Sequence, residues 1–171
     1  MREFVLHTST TELARCVRTS SEWLELIQNT HQKGVCDTFS LTLSDTFDNE
    51  YSIARRNHHA IGPMLEIASI GRRQGESWVS AGWLCTFITT EREIHSLCNE
   101  PEHISHSEFS VYTGVHIVAE NCLHPLPTLV DPVGSFLQQQ TRDPNFDWLD
   151  FNLVFMTHEM YREYQNREKR R

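Results

Sequence analysis

The run WVSAGWLCTFIT, residues 78–89, constrains the fold more than any other part of the chain. It is dense in aromatic and β-branched side chains and carries neither proline nor charge, which suits a long strand inside a sheet. Simple alternation puts Val79, Ala81, Trp83, Cys85 and Phe87 on one face. Trp78 then has the opposite parity to Trp83, so one of the two indoles faces out or lies under a helix, and an exposed one would mark an interface. Gly82 inside such a run signals a bulge or the close approach of another segment.

The neighbouring segments extend the sheet. Residues 38–43 alternate as a half-buried strand, residues 44–49 are turn chemistry, and Tyr51 and Ile53 suggest a return strand. Residues 64–70 are a further strand, and 71–75, with Gly at both ends, read as the hairpin loop leading into 78–89. Phe109, Val111, Val115, Ile117 and Ala119 alternate as one long strand, while 2–7 and 151–156 are shorter candidates.

Helices are signalled by capping boxes, a Ser or Thr followed three residues later by Glu. Ser9–Glu12 opens one with Leu13, Cys16 and Val17 on its buried face. Thr19–Glu22 opens another, with Trp23, Leu24 and Ile27 inward and Gly34 past its end. Thr90–Glu93 opens a third, short helix over Ile94, Leu97 and Cys98, closed by Pro101. Asp131-Pro132 starts a helix over 133–140, and Thr157 caps a last one. A chain of 171 residues is about one domain's worth. The expectation is a single α+β domain over 1–171. Its mainly antiparallel sheet has about five to six strands, and two N-terminal helices and a C-terminal helix pack on it. Residues 162–171 form a basic helical tail that frays.

No apolar run approaches the roughly 20 residues of a membrane span. The N-terminus stays apolar only over Phe4-Val5-Leu6, too briefly for a secretory leader. The five cysteines are widely spaced, odd in number and include no CxxC pair, which suits reduced thiols. These features predict a cytoplasmic protein, with nuclear entry through the basic tail as the variation.

The net charge of −8 argues against a general nucleic-acid binder, whose affinity comes mainly from neutralised phosphates. The charge is uneven, though. From Glu93 to Glu159 ten acids face one base, Arg142, whereas 55–73 hold four arginines and one acid, Glu66. Arginine forms planar bidentate contacts that lysine cannot, so Arg55, Arg56, His58, His59, Arg72 and Arg73 are candidates for holding an anion or a protein partner. The alternative is a solvated connection.

The other constellation is LCNEPEHISHSEF, residues 97–109. Cys98, His103 and His106 supply three zinc-type ligands, and Cys122 or Cys85 supplies a fourth if a strand returns past them. The spacing matches no zinc ribbon, and the competing reading is a polar loop with Cys98 packed as a small hydrophobe. The sequence carries no G-x-S-x-G, HExxH or P-loop pattern. A thiolate at Cys98 served by His95, His103 or His106 is the remaining nucleophile.

These observations lead to three expectations. The first is a non-enzymatic accessory protein that works by contacts with another protein or with itself as a homodimer, needs no cofactor, and binds through the sheet and its arginine-bearing edge. The second is a zinc protein, structural or hydrolytic, on Cys98, His103 and His106. The third is nucleic-acid binding through the arginine clusters.

Overall fold

The structure, a computed structural model, describes residues 4–8, 14–31, 37–43, 63–75, 77–111 and 114–170. The chain opens with a hairpin, β1 (Phe4–Thr8) and β2 (Ala14–Val17), in which Phe4 pairs with Val17 and His7 with Ala14. The helix expected from Ser9 is therefore corrected over its second half, and residues 9–13 lie outside the described residues. The capping box is a local signal, and the long-range ladder with β1 overrides it. Cys16, expected inside, is exposed.

The next box behaves as read. Helix α1 (Ser20–Thr30) is capped by Thr19, whose hydroxyl accepts from Glu22 N at 3.2 Å, while Glu22 Oε2 accepts from Thr19 N at 3.3 Å. Its Trp23 and Ile27 are fully buried. Strands β3 (Thr38–Leu43), β4 (Met64–Gln74) and β5 (Ser77–Ile88) follow. Gly34, the turn at 44–49 and the strand at Tyr51 and Ile53 lie outside the described residues. Gly71 is no loop: β4 runs through it to Gln74, and the turn is at Gly75. A side chain at Gly71 would stand 2.0 Å from Trp78 Cε2, so the missing Cβ is what lets the indole lie against β4.

Strand β5 carries the bulge that Gly82 signalled. Ile70 pairs with Gly82 but Gly71 pairs with Ser80, which leaves Ala81 as the extra residue. The extra residue reverses the parity of everything before it. Trp83, Cys85 and Phe87 stay on one face, but Val79, opposite Arg72, moves to the other, and Trp78 joins the face of Trp83. Neither indole is exposed: Trp78 is half-buried and Trp83 is 7% exposed.

After β5 comes strand β6 (Ile94–Cys98), not the expected helix. Thr89 Oγ1 accepts from Glu93 N at 3.1 Å, and Arg92 takes the left-handed conformation (φ 69°), so Thr89, just before the box, closes a tight turn with Glu93. The long strand expected over 109–119 is a hairpin, β7 (His106–Val111) and β8 (Gly114–Ala119), with Val111 opposite Gly114. The two-residue strand β9 (Leu123–His124) leads to a 3-10 turn and helix α2 (Val130–Gln139), which starts three residues earlier than expected. Pro132 sits in its first turn, where a missing N–H leaves no bond unmade. Residues 151–156 are corrected too: the strand precedes them as β10 (Asp147–Asp150). Asp150 Oδ1 accepts from Asn152 N at 2.8 Å, turning the chain into α3 (Phe151–Val154) before the short β11 (Phe155–Met156). Thr157 caps α4 (His158–Glu168) as anticipated, with its hydroxyl accepting from Met160 N.

Among the described residues, seven strands follow one antiparallel path, β10-β6-β5-β4-β3-β1-β2, and β7, β8, β9 and β11 attach to it. The fold is mixed helix and strand on a mainly antiparallel, curled sheet, with more strands than anticipated. Both faces are covered. On one, α1 and α2 bury Trp23, Ile27, Val133 and Phe136 against Phe4, Leu6, Phe39, Ile67, Trp83 and Phe87, and the Phe136 ring lies 5.6 Å from Phe4 and 6.1 Å from Phe87. On the other, Phe109, Val118, Cys122 and Val154 cover Ile70, Leu84 and Cys98. A single helix in the N-terminal half is described, not two, and α4 has no buried residue. No described helix is long and apolar enough to cross a membrane.

Candidate functional site

The bulge at Ala81 and the backbone at Gly82 build a groove. Gly82 has φ 147°, a conformation L side chains avoid, and a Cβ there would stand 3.1 Å from Leu123 Cβ and 3.3 Å from His124 O. The glycine thus lets residues 120–124 lie against β5, where His124 pairs with Trp83 and Leu123 with Leu84. This segment forms one wall. The floor is a row across three strands, in which Arg72 on β4 lies between Phe109 on β7 and Val79 on β5. The resulting groove holds about 350 Å³, and Gln74, Ser80 and Ala81 complete its lining.

Arg72 is held from two sides. Its guanidinium lies 4.4 Å from the centre of the Phe109 ring, and its Nη2 donates to Glu120 Oε1 at 2.9 Å. The Ser107 hydroxyl donates to that same oxygen. The Ser107 hydrogen bond first, and Arg72 with it, holds the Glu120 carboxyl below its ordinary value, so Glu120 is ionised at neutral pH. Arg72 and Ser107 thus share one oxygen of the Glu120 carboxylate, Oε1. Beside the groove, Ser77, Val79, Ser80 and Ala81 are exposed, with Val79 at 43%.

Among the described residues, Arg72 is the one sequence candidate that reaches this groove. Arg73 pairs with Trp78 in the ladder. Arg55, Arg56, His58 and His59 lie outside the described residues. Ser107, Phe109, Glu120 and Leu123 were not singled out as site residues. They become neighbours only because the β7–β8 hairpin folds back on β4, a pairing that local patterns do not encode.

The metal candidates separate. Cys98 is 4% exposed, packed among Ile70, Leu84 and Cys122, and it accepts from Asn121 Nδ2 at 3.3 Å. It lies within hydrogen-bonding reach of Cys122, and burial first, then Cys98, pushes the Cys122 thiol far up. Burial likewise raises the Cys85 thiol, which is on the opposite face of the sheet. His103 is exposed on the loop between β6 and β7. His106 is held elsewhere: its Nε2 pairs with Leu153 O at 2.8 Å, and its ring packs 5.3 Å from Tyr161 and 5.5 Å from Tyr164. Among the described residues no group of three or more His, Cys, Asp or Glu is placed to hold a metal. His95 turns toward Glu93, 3.6 Å away.

A second polar cluster joins α1 to the sheet. His31 Nδ1 meets Asp37 Oδ2 at 3.0 Å, Asp37 N donates to Ser69 Oγ at 2.7 Å, and Ser69 N donates to Asp37 O at 2.8 Å. The histidine ring also packs edge-on to Trp83 at 4.7 Å. Ser69 Oγ bonds to the backbone of Asp37 and not to His31, so the three residues form a clasp and not a proton relay. Comparison with protein-family models, curated proteins and solved structures finds no match.

Proposed function

We propose that this is a non-enzymatic accessory protein that binds another protein through the groove between β4, β5 and the segment 120–124. The observation that carries the reading is the exposed Val79 beside an arginine locked in place on Phe109 and Glu120. Exposed apolar surface next to a rigid, planar, charged group is the usual make-up of a protein-binding patch. Among the described residues the groove lining includes no cysteine or histidine, so these offer neither a thiolate nor an imidazole base for nucleophilic chemistry.

The zinc reading has the neighbouring Cys98 and Cys122 in its favour, with no histidine among the described residues brought to them. Elemental analysis of reduced protein tests it, and about one zinc per chain would support it. Nucleic-acid binding is tested by the salt dependence of RNA and DNA affinity.

For the protein-binding reading, a photo-crosslinking residue is placed at position 79 and, as control, at exposed position 103, in cells producing the protein. A defined adduct from position 79 that is absent from position 103, and lost on adding Arg72→Glu, is the expected result. Equal adducts from both positions, or none, would overturn the reading.

A further inference from the structure

Resting on that reading of the groove, we propose that the partner enters as an extended segment that adds a strand to the free edge of β5 at Ser77–Ser80 and sets a basic side chain on Glu120.

Strand β5 is paired on one side by β4 along its whole length. On the other side β6 takes only Thr86–Ile88 and β9 only Trp83 and Leu84. Ser77, Trp78, Val79 and Ser80 therefore present an unpaired edge among the described residues, and Ser77, Val79 and Ser80 are exposed. Proteins usually blunt such edges with charge or proline. This edge has neither, and the bulge at Ala81 bounds it at one end without covering it. An edge of this kind offers a ready ladder of backbone hydrogen bonds to an extended chain, and side chains on alternate positions supply the selectivity.

The groove supplies that second element. Alternate residues of an added strand share the face of Val79, so they run beside Val79 and toward the wall at Glu120 and Leu123. Both hydrogen bonds to the Glu120 carboxylate fall on Oε1, and neither falls on Oε2. Glu120 is 42% exposed, within a chain of net charge −8, which favours a cationic side chain over an acidic one. The occupant is an extended peptide segment that alternates apolar and basic residues.

The test uses the full chain, isotope-labelled for NMR, and a blocked heptapeptide of alternating valine and lysine. Three controls accompany it: the same peptide with glutamate for lysine, the valine–lysine peptide N-methylated at alternate amides in each of the two registers, and sedimentation of the protein alone. The expected result is amide shifts concentrated at residues 77–80 and 120–123, abolished by N-methylation along one peptide edge. The lysine peptide binds about five- to tenfold more tightly than the glutamate peptide, a preference that Glu120→Gln removes. Equal binding of both N-methylated registers would overturn strand addition while leaving the groove as a binding surface. No shift at 77–80 with any peptide at millimolar concentration would overturn the inference, and the crosslink from position 79 then judges the groove on its own. Concentration-dependent self-association lost on Val79→Lys would give the edge to a second copy of this chain, and would also overturn it.

Discussion

Two residues beside the groove carry more than their size suggests. At Gly82 the positive φ and the 3.1 Å approach of Leu123 act together. Gly82→Ala should cost about 1–3 kcal/mol, the range for a residue forced into a sparsely allowed conformation. Urea denaturation measures it, and an unchanged midpoint would mean that the backbone relaxes without cost. His124, 4% exposed, pairs its Nε2 with Leu97 O at 3.2 Å, and burial holds its imidazole below the ordinary value of 6.5. The unfolded chain therefore binds the proton more readily than the folded one. Stability is full above pH 6.5 and declines as pH falls from there through the lowered folded value. His124→Gln, which can still donate to Leu97 O, should flatten that acid slope in urea midpoints taken from pH 8 to 5. Identical slopes in the two proteins would assign the titration to another group.

At the scale of elements, the capping box is a controlled comparison within one chain. The same pattern occurs at residues 9, 19, 90 and 105, and only at 19 does a described helix follow. There Trp23 and Ile27, four residues apart, give the helix an apolar face to bury. The Thr90 box is followed by Ile94, Leu97 and Cys98. Their spacing fits a helix, yet ladder bonds to both β5 and β10 hold the segment extended. Local polar residues can start a turn, but tertiary pairing decides what the turn becomes. Thr19→Ala should destabilise by about 1 kcal/mol in thermal or urea unfolding. A loss near zero would mean that α1 is held by Trp23 and Ile27 alone.

For the molecule as a whole, the α+β class and the central place of β5 were legible in the sequence, because both rest on period and composition. The groove was not, because it rests on the return of β7 to β4 and on residues 120–124 crossing beneath Gly82. For a similar reason residues close in sequence, Cys98, His103 and His106, enter three different surroundings once β6 ends and β7 begins. Strand β5 faces both apolar clusters, Trp83, Cys85 and Phe87 toward one and Leu84 toward the other. The two should therefore melt together. Leu84→Ala should lose about 2–5 kcal/mol, and far-UV circular dichroism and tryptophan fluorescence should give coincident transitions. Separate transitions would mean that the two faces are independent units.

Ala81 works as a phase shifter in this arrangement. Written as a regular strand, β5 would point Val79 into the compartment of Trp83, and Trp78 would stand where the groove is. One inserted residue exchanges them, so which side chains line the groove is encoded by a count of residues and not by their identity. Inserting one residue between Ile70 and Gly71 gives Ala81 a partner and makes the ladder regular, which should bring Trp78 to the surface. That inversion is readable as a red shift in tryptophan emission and quenching by iodide. An emission spectrum unaltered by the insertion would show that the chain has another way to take up the added residue.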